Sequence, residues 1–330
     1  GSRYSDFTAS PHIECVTPPR DGAASDVEAA GLSISLNSAD WTDTSLDFEY
    51  YPPLLATAVT PGCVPAGVEL DGLTLEVPAA AFFSEWAPPQ LLCRVGVVTL
   101  GASFSVDATT GKKLVTCGSI TIASAGAQAL GVSANGVTFD EAAPLSVHAK
   151  PTVTSASIGV GGNVVTGDVT GIEFETIVLY GSGLEDGCKP CCRFGGAGGV
   201  VNPATPLSGG ALSCVASNGP GRSAAPVELS LNCVHFFDTG LTFRQLKIES
   251  IEPPAGPIDG DTLVEIRGTN LDNCGTSECR FGTGAPVPGT QADGAIECTA
   301  PSVSSEESET LSIRCNAGSW IAADVQFGRF

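Results

Sequence analysis

The chain has no methionine, and it has only three histidines (His12, His148, His235), three tryptophans and four tyrosines. So little imidazole leaves few candidates for histidine-based acid–base or metal chemistry. Basic residues are scarce as well: 15 Lys and Arg stand against 36 Asp and Glu, a formal charge of −21. A surface that acidic repels phosphate backbones and anionic headgroups, which excludes nucleic acid and membrane surfaces as partners. No apolar run reaches the roughly 18 residues a membrane helix needs, so direct membrane insertion is excluded for this segment too. Long runs of helix formers are missing, and only 15% of residues are charged. There is no Asn-x-Ser/Thr sequon, so N-glycans do not shield these faces even if the parent is a glycoprotein. There is also no signal peptide and no initiator. The chain opens Gly1-Ser2, which reads as a cloning scar on an excised piece of a larger protein.

What is abundant is glycine (40), proline (23) and cysteine (13). Turn formers at that density, with 42% hydrophobic residues, describe folded β-structure rather than helices or disorder. Thirteen cysteines without catalytic company point to an oxidising compartment. At 330 residues there is chain enough for two to four domains. The Ala- and Gly-heavy, Met-free composition is of the kind that a GC-rich genome, such as a green alga's, encodes.

Self-comparison is the informative step. Cys93-Arg94-Val95-Gly96 returns as Cys192-Arg193-Phe194-Gly195 and as Cys279-Arg280-Phe281-Gly282. Each is followed by a second cysteine (Cys117, Cys214, Cys298) and then by a strand with apolar residues at alternate places, as in Leu311-Ser-Ile313-Arg-Cys315. The N-terminus carries the back half of the unit: Ile13-Glu14-Cys15 matches Ile296-Glu297-Cys298, and Leu32 to Asn37, with Trp41 and Phe48, matches Leu311 to Asn316, with Trp320 and Phe327. The expected division is a partial repeat at 1–52 and complete repeats at 53–147, 148–247 and 248–330. The joints are short and contain proline (Tyr51-Pro52-Pro53, Glu252-Pro253-Pro254), which predicts semi-rigid links and an elongated rod.

The run from Ile251 through Gly256-Pro257, Gly260 and Val264 to Gly268 and Leu271 resembles the opening of a TIG (IPT) domain. Cys279-Arg-Phe-Gly, Ile296-Glu-Cys298-Thr-Ala-Pro301 and Phe327 follow in the family's order. The match is best over 248–330, looser over 148–247 and looser again over 53–147, where Val95 stands for the usual Phe. The resemblance implies an all-β fold, a string of immunoglobulin-like β-sandwiches of the kind found in plexins and some transcription factors. It implies disulfides Cys93–Cys117, Cys192–Cys214 and Cys279–Cys298. Repeat logic adds Cys274–Cys315 and, from matching places, Cys188–Cys233. That leaves Cys15, Cys63 and Cys191 unassigned, free to pair with one another or with another chain.

The remaining motifs read blandly. Cys188-Lys-Pro-Cys191-Cys192 contains a C-x-x-C, but it sits in a β-turn without the helix that redox chemistry requires, and a zinc site lacks its second ligand pair. Gly181-Ser182-Gly183 is no nucleophile elbow, and Gly195 to Gly199 is a hairpin tip rather than a phosphate loop. Carboxylate pairs such as Asp40/Asp43, Asp259/Asp261 and Glu306/Glu307 lack calcium-loop spacing. No catalytic, cofactor or metal residues are expected. Phe82, Phe83 and Trp86 form an unrepeated aromatic cluster in a loop and are the candidate contact surface. The expected function is a non-enzymatic adhesion or scaffold segment of an extracellular, cell-surface protein. It would meet another protein, a different one or its own copy, with a glycan as a further partner class. The alternative is a carbohydrate-binding accessory segment of a secreted enzyme.

Overall fold

In a computed structural model, residues 3–4, 13–17, 28–78, 90–218 and 222–330 are described. Among them the regular secondary structure is β-strand, apart from one short 3-10 turn at Leu271–Asn273. The chain divides into two compact units. The first holds Gly1–Thr60, Leu70–Ile120 and Gln128–Leu145, and the second holds Pro61–Glu69, Thr121–Ala127 and Ser146–Phe330.

The last repeat shows the architecture most clearly. Its seven strands, in chain order, are Lys247–Glu252, Leu263–Thr269, Ser277–Phe281, Val287–Ala292, Ala295–Thr299, Ser308–Cys315 and Ile321–Arg329. In the sheet they run first, second, fifth, fourth, third, sixth, seventh, all antiparallel, and Ala255–Gly256 lies parallel beside the seventh. The chain therefore leaves the first strand on one edge and, past the cis Glu252–Pro253 bond, reaches the opposite edge two residues later. One continuous segment thus supplies the strands at both ends of the order.

The same order recurs in residues 152–245. There Thr152–Ile158, Thr176–Ser182, Cys191–Phe194, Val200–Leu207, Ala211–Val215, Ala224–Ser230 and Phe237–Gln245 are the seven strands, and Val169–Gly171 lies parallel to the last. In residues 58–148 Ala58–Thr60, Thr74–Val77, Leu92–Val95, Val98–Val106, Lys113–Cys117, Gly126–Ser133 and Asp140–His148 take the same order. The parallel pairing there, Cys63–Pro65 with Ser146–His148, belongs to the second unit. Among the described residues the partial repeat supplies the short pair Arg3–Tyr4 with Ile13–Glu14 and a hairpin, Glu28–Ile34 with Thr42–Tyr50, which corresponds to strands six and seven.

Alternation along the strands fills the cores. In the last repeat Val264, Ile266, Ile296, Leu311 and Ile313 are fully buried around Phe281 and Phe327, whose rings meet edge to face with centroids 5.3 Å apart. Phe194 and Phe243 make the equivalent pair in the second repeat at 6.2 Å. A buried edge-to-face pair adds to the burial of each ring, so the loss of either is felt by both. Phe281→Ala should lower unfolding free energy by about 3–5 kcal/mol, read as a shift in urea midpoint at unchanged slope. A change of less than about 1 kcal/mol would place Phe281 outside the core.

Candidate functional site

The recurring Cys-Arg-x-Gly segment is the third strand of each repeat, and every one of its positions has a physical task. The cysteine points inward: Cys93, Cys192 and Cys279 are fully buried and bonded to Cys117, Cys214 and Cys298 on strand five. The residue two places on points the same way, so Val95, Phe194 and Phe281 are core residues. Arginine, between them, points outward. Arg94 lies over the Phe139 ring at 4.5 Å, Arg193 over Phe236 at 4.2 Å and Arg280 over Trp320 at 4.4 Å, each aromatic coming from the turn between strands six and seven or its edge. Carboxylates add to this. Glu141 accepts from Arg94 (2.5 Å), and Glu228 takes Arg193 with two bonds (2.6 and 2.9 Å). That hydrogen bond to Glu228 holds the Arg193 guanidinium above its usual range. The glycine closes the strand at positive φ (60°, 97° and 54° at Gly96, Gly195 and Gly282), where a side chain would be strained.

The Cys188–Cys192 segment is occupied by structure alone. Cys191 and Cys192 are neighbours on a strand and so face opposite sides. Cys192 turns into the core toward Cys214, and Cys191 takes Cys233 across the outer face. The expected Cys188–Cys233 pairing is thereby corrected: Cys233 is already held by Cys191, and Cys188 bonds to Cys63 instead. In the last repeat the residue directly before Cys279 is Glu278 rather than a cysteine, so the loop cysteine, Cys274, reaches the end of strand six and pairs with Cys315. Cys63 and Cys191, unassigned from sequence, are both in disulfides, and Cys15 is exposed and is the one cysteine without a bond. Among the described residues no group of His, Cys, Asp and Glu is placed to hold a metal.

Around Cys63–Cys188, which joins the segment after strand one of the first repeat to a loop of the second, lies a polar clamp. The Cys188 amide donates to Cys63 Sγ (3.1 Å). Asn232 accepts the amides of Val234 and His235 on its Oδ1, which fixes its Nδ2 as donor. That Nδ2 donates to the Cys63 carbonyl and to His235 Nδ1, both at 3.0 Å. His235 can accept there only while Nδ1 is unprotonated. Burial, and after it the charge of His148, hold the His235 imidazole below its ordinary value of 6.5.

The family model of the IPT/TIG domain matches residues 246–328. Residues 246–328 are an IPT/TIG domain. No curated protein matches the chain. Among solved structures it is similar to the plexin A4 full extracellular region, at 14% identity over 90% of this chain and 26% of that one, with a TM-score of 0.38. It is also similar to a Bacteroides ovatus mixed-linkage glucan utilization protein, SGBP-B, solved with a mixed-linkage heptasaccharide. That match has 13% identity over 92% of this chain and 70% of that one, and a TM-score of 0.22. The chain thus spans about a quarter of the plexin chain's length.

In the IPT/TIG domain Trp320 is partly buried between Arg280 and Arg314. Trp41, its counterpart by sequence, is instead 66% exposed, so the equivalence of the two positions does not extend to their surroundings. The hairpin that carries Trp41 has no third strand beside it among the described residues, and hence no arginine to lie on the ring. Phe82, Phe83 and Trp86 lie outside the described residues. The arginine–aromatic stack was missed at the sequence level because its two halves sit some 40 residues apart, although both were in plain view within the repeat.

Two outcomes follow. Non-reducing peptide mapping should find Cys63 linked to Cys188 and Cys191 to Cys233. The double variant C63S/C188S, which opens a 125-residue span, should lose about 4–5 kcal/mol in the chain-entropy account. A Cys188–Cys233 peptide would refute the pairing. As for pH, a base whose folded pKa is depressed stabilises the fold fully above its unfolded value of 6.5 and progressively less as pH falls through the folded value. Urea midpoints should therefore fall below pH 6.5, and His235→Gln, which keeps an acceptor and does not titrate, should flatten that fall. An equal fall in the variant would assign it to other groups.

Proposed function

We propose that this chain is a non-enzymatic adhesion or scaffold segment of an extracellular, cell-surface protein, meeting either a different protein or its own copy. One observation carries the reading: the residues with chemical potential are committed to holding the repeats together. Twelve of the thirteen cysteines are in disulfides, and the arginine of each Cys-Arg-x-Gly strand is spent on an aromatic ring of its own repeat. Disulfides in such numbers persist only in an oxidising compartment, which supports an extracellular location. No helix of the described residues is long and apolar enough to cross a membrane. Each complete repeat would be one IPT/TIG-like sandwich, with boundaries at 53–147, 148–247 and 248–330.

The test uses beads coated with the chain, with Cys15→Ser included so that an adventitious interchain disulfide does not register. Beads that cluster with one another, or that are retained by cells of the source organism in a manner competed by soluble chain, support the proposal. Light scattering over a concentration series separates the two cases: growing mass means self-association, and constant mass means a different partner. Beads retained no better than albumin-coated ones in both formats would overturn it.

A further inference from the structure

The hairpin Glu28–Ile34 with Thr42–Tyr50 reproduces strands six and seven of the IPT/TIG domain pair for pair. Ala29 opposite Glu49, Ala30 opposite Phe48 and Ile34 opposite Thr42 answer to Ser308 opposite Gly328, Glu309 opposite Phe327 and Ile313 opposite Ile321, and both ladders shift register at the same place. In the domain the other side of strand six is taken by the third strand, Ser277–Phe281. Among the described residues no strand is paired there in the hairpin. Side chains that a sandwich buries are therefore in water. Leu32 is 40% exposed and Phe48 41%, where their counterparts Leu311 and Phe327 are fully buried.

Each side chain of a Cys-Arg-Phe-Gly strand has its acceptor in the partial repeat. In the IPT/TIG domain the cysteine bonds to Cys298, and Cys15 stands at that place in the sequence, exposed and unbonded. The arginine lies over Trp320, and Trp41 stands at that place, exposed. The phenylalanine meets Phe327 edge to face, and Phe48 stands at that place. Charge agrees with geometry. Residues 28–50 hold five carboxylates and no lysine or arginine, which favours a partner that brings a cation.

We propose that this hairpin, with Cys15, docks a β-strand of the pattern Cys-Arg-apolar-Gly that comes from outside residues 1–330. The folded repeats of a second copy have no such strand to give. Cys-Arg occurs three times in the sequence, and each of those strands is paired on both sides and disulfide-bonded within its own repeat. The incoming strand adds to the edge of strand six through main-chain hydrogen bonds. Its alternate side chains then sort by the period of two: cysteine and the apolar residue go inward, and arginine goes outward to Trp41. The link to Cys15 forms by exchange with a partner cysteine held as a disulfide to a small thiol. The Cys15 thiolate attacks that cysteine's sulfur, the new S–S bond forms, and the small thiol leaves with the electron pair and takes a proton from water.

The test uses the full chain and a synthetic peptide of residues 275–284, its cysteine held as a mixed disulfide with thionitrobenzoate. Release of the coloured thiol follows the reaction with Cys15, and a peptide of the same composition, scrambled around an unmoved cysteine, is the comparison. The strand peptide should react about tenfold faster, the sum of a few cross-strand pairs. Trp41→Ala, at an exposed position, should cut that advantage about two- to fivefold, the size of one exposed cation–π contact. Amide hydrogen exchange across Glu28–Ile34 should slow with the strand peptide attached and not with the scrambled one. Equal rates for the two peptides, an advantage untouched by Trp41→Ala, or unchanged exchange would overturn the proposal. So would hairpin protection that grows with chain concentration when no peptide is present, since a second copy would then hold the face. The bead assay is run on Cys15→Ser and without peptide, so the two readings fail separately.

Discussion

The two-residue period of the third strand is the constraint on which the rest of each repeat depends. Because successive side chains point to opposite faces, four residues can deliver a disulfide to the core, an arginine to the surface and a second apolar group to the core, and then turn. Moved by one residue, the same letters would bury the guanidinium and expose the cysteine. The disulfide to strand five clasps the sandwich across strand four, and the arginine lays a lid of charge over the turn between strands six and seven. Core, clasp and lid are therefore set together by a single register.

That same period explains where the sequence could be read and where it could not. The all-β fold and the equivalence of the repeats are written in alternation and in fixed landmarks, and these survive translation into structure because they are local. The cysteine pairing at 188–192 is not local in this sense. Cys188, four residues after Leu184, and Cys274, three after Leu271, stand at roughly matching places in their repeats. Yet an extra cysteine at 191, facing away from its neighbour 192, is the one that lies across from the end of strand six. With Cys233 taken, Cys188 bonds to Cys63, 125 residues distant. No spacing rule within one repeat could contain that bond. Trp41 fails for a related reason: its environment depends on a strand three that the partial repeat does not supply among the described residues.

Asparagine does at the joints what cysteine does in the cores. Asn232 grips the Cys63 carbonyl beside the interrepeat disulfide, and Asn270, itself at positive φ, donates to the carbonyls of Ser223 and Gln245 as the chain enters the IPT/TIG domain. Carboxamides suit this work because they donate and accept without the desolvation cost of a buried charge. They are also nearly silent in sequence. Nothing in the letters around Asn232 or Asn270 separates them from an ordinary turn asparagine.

Charge completes the logic. The arginines whose side chains are described are engaged inside their own repeats or joints: with aromatic rings, with carboxylates, or, for Arg222, with the Gly195 carbonyl. The fold has thus used most of the few strong cations that the composition allows, and the excess of carboxylates is left facing solvent. Repulsion between such surfaces acts over a Debye length, about 8 Å at physiological salt, and opposes indiscriminate sticking of one copy to another. Contacts that do form must then come from short-range, uncharged chemistry at particular places.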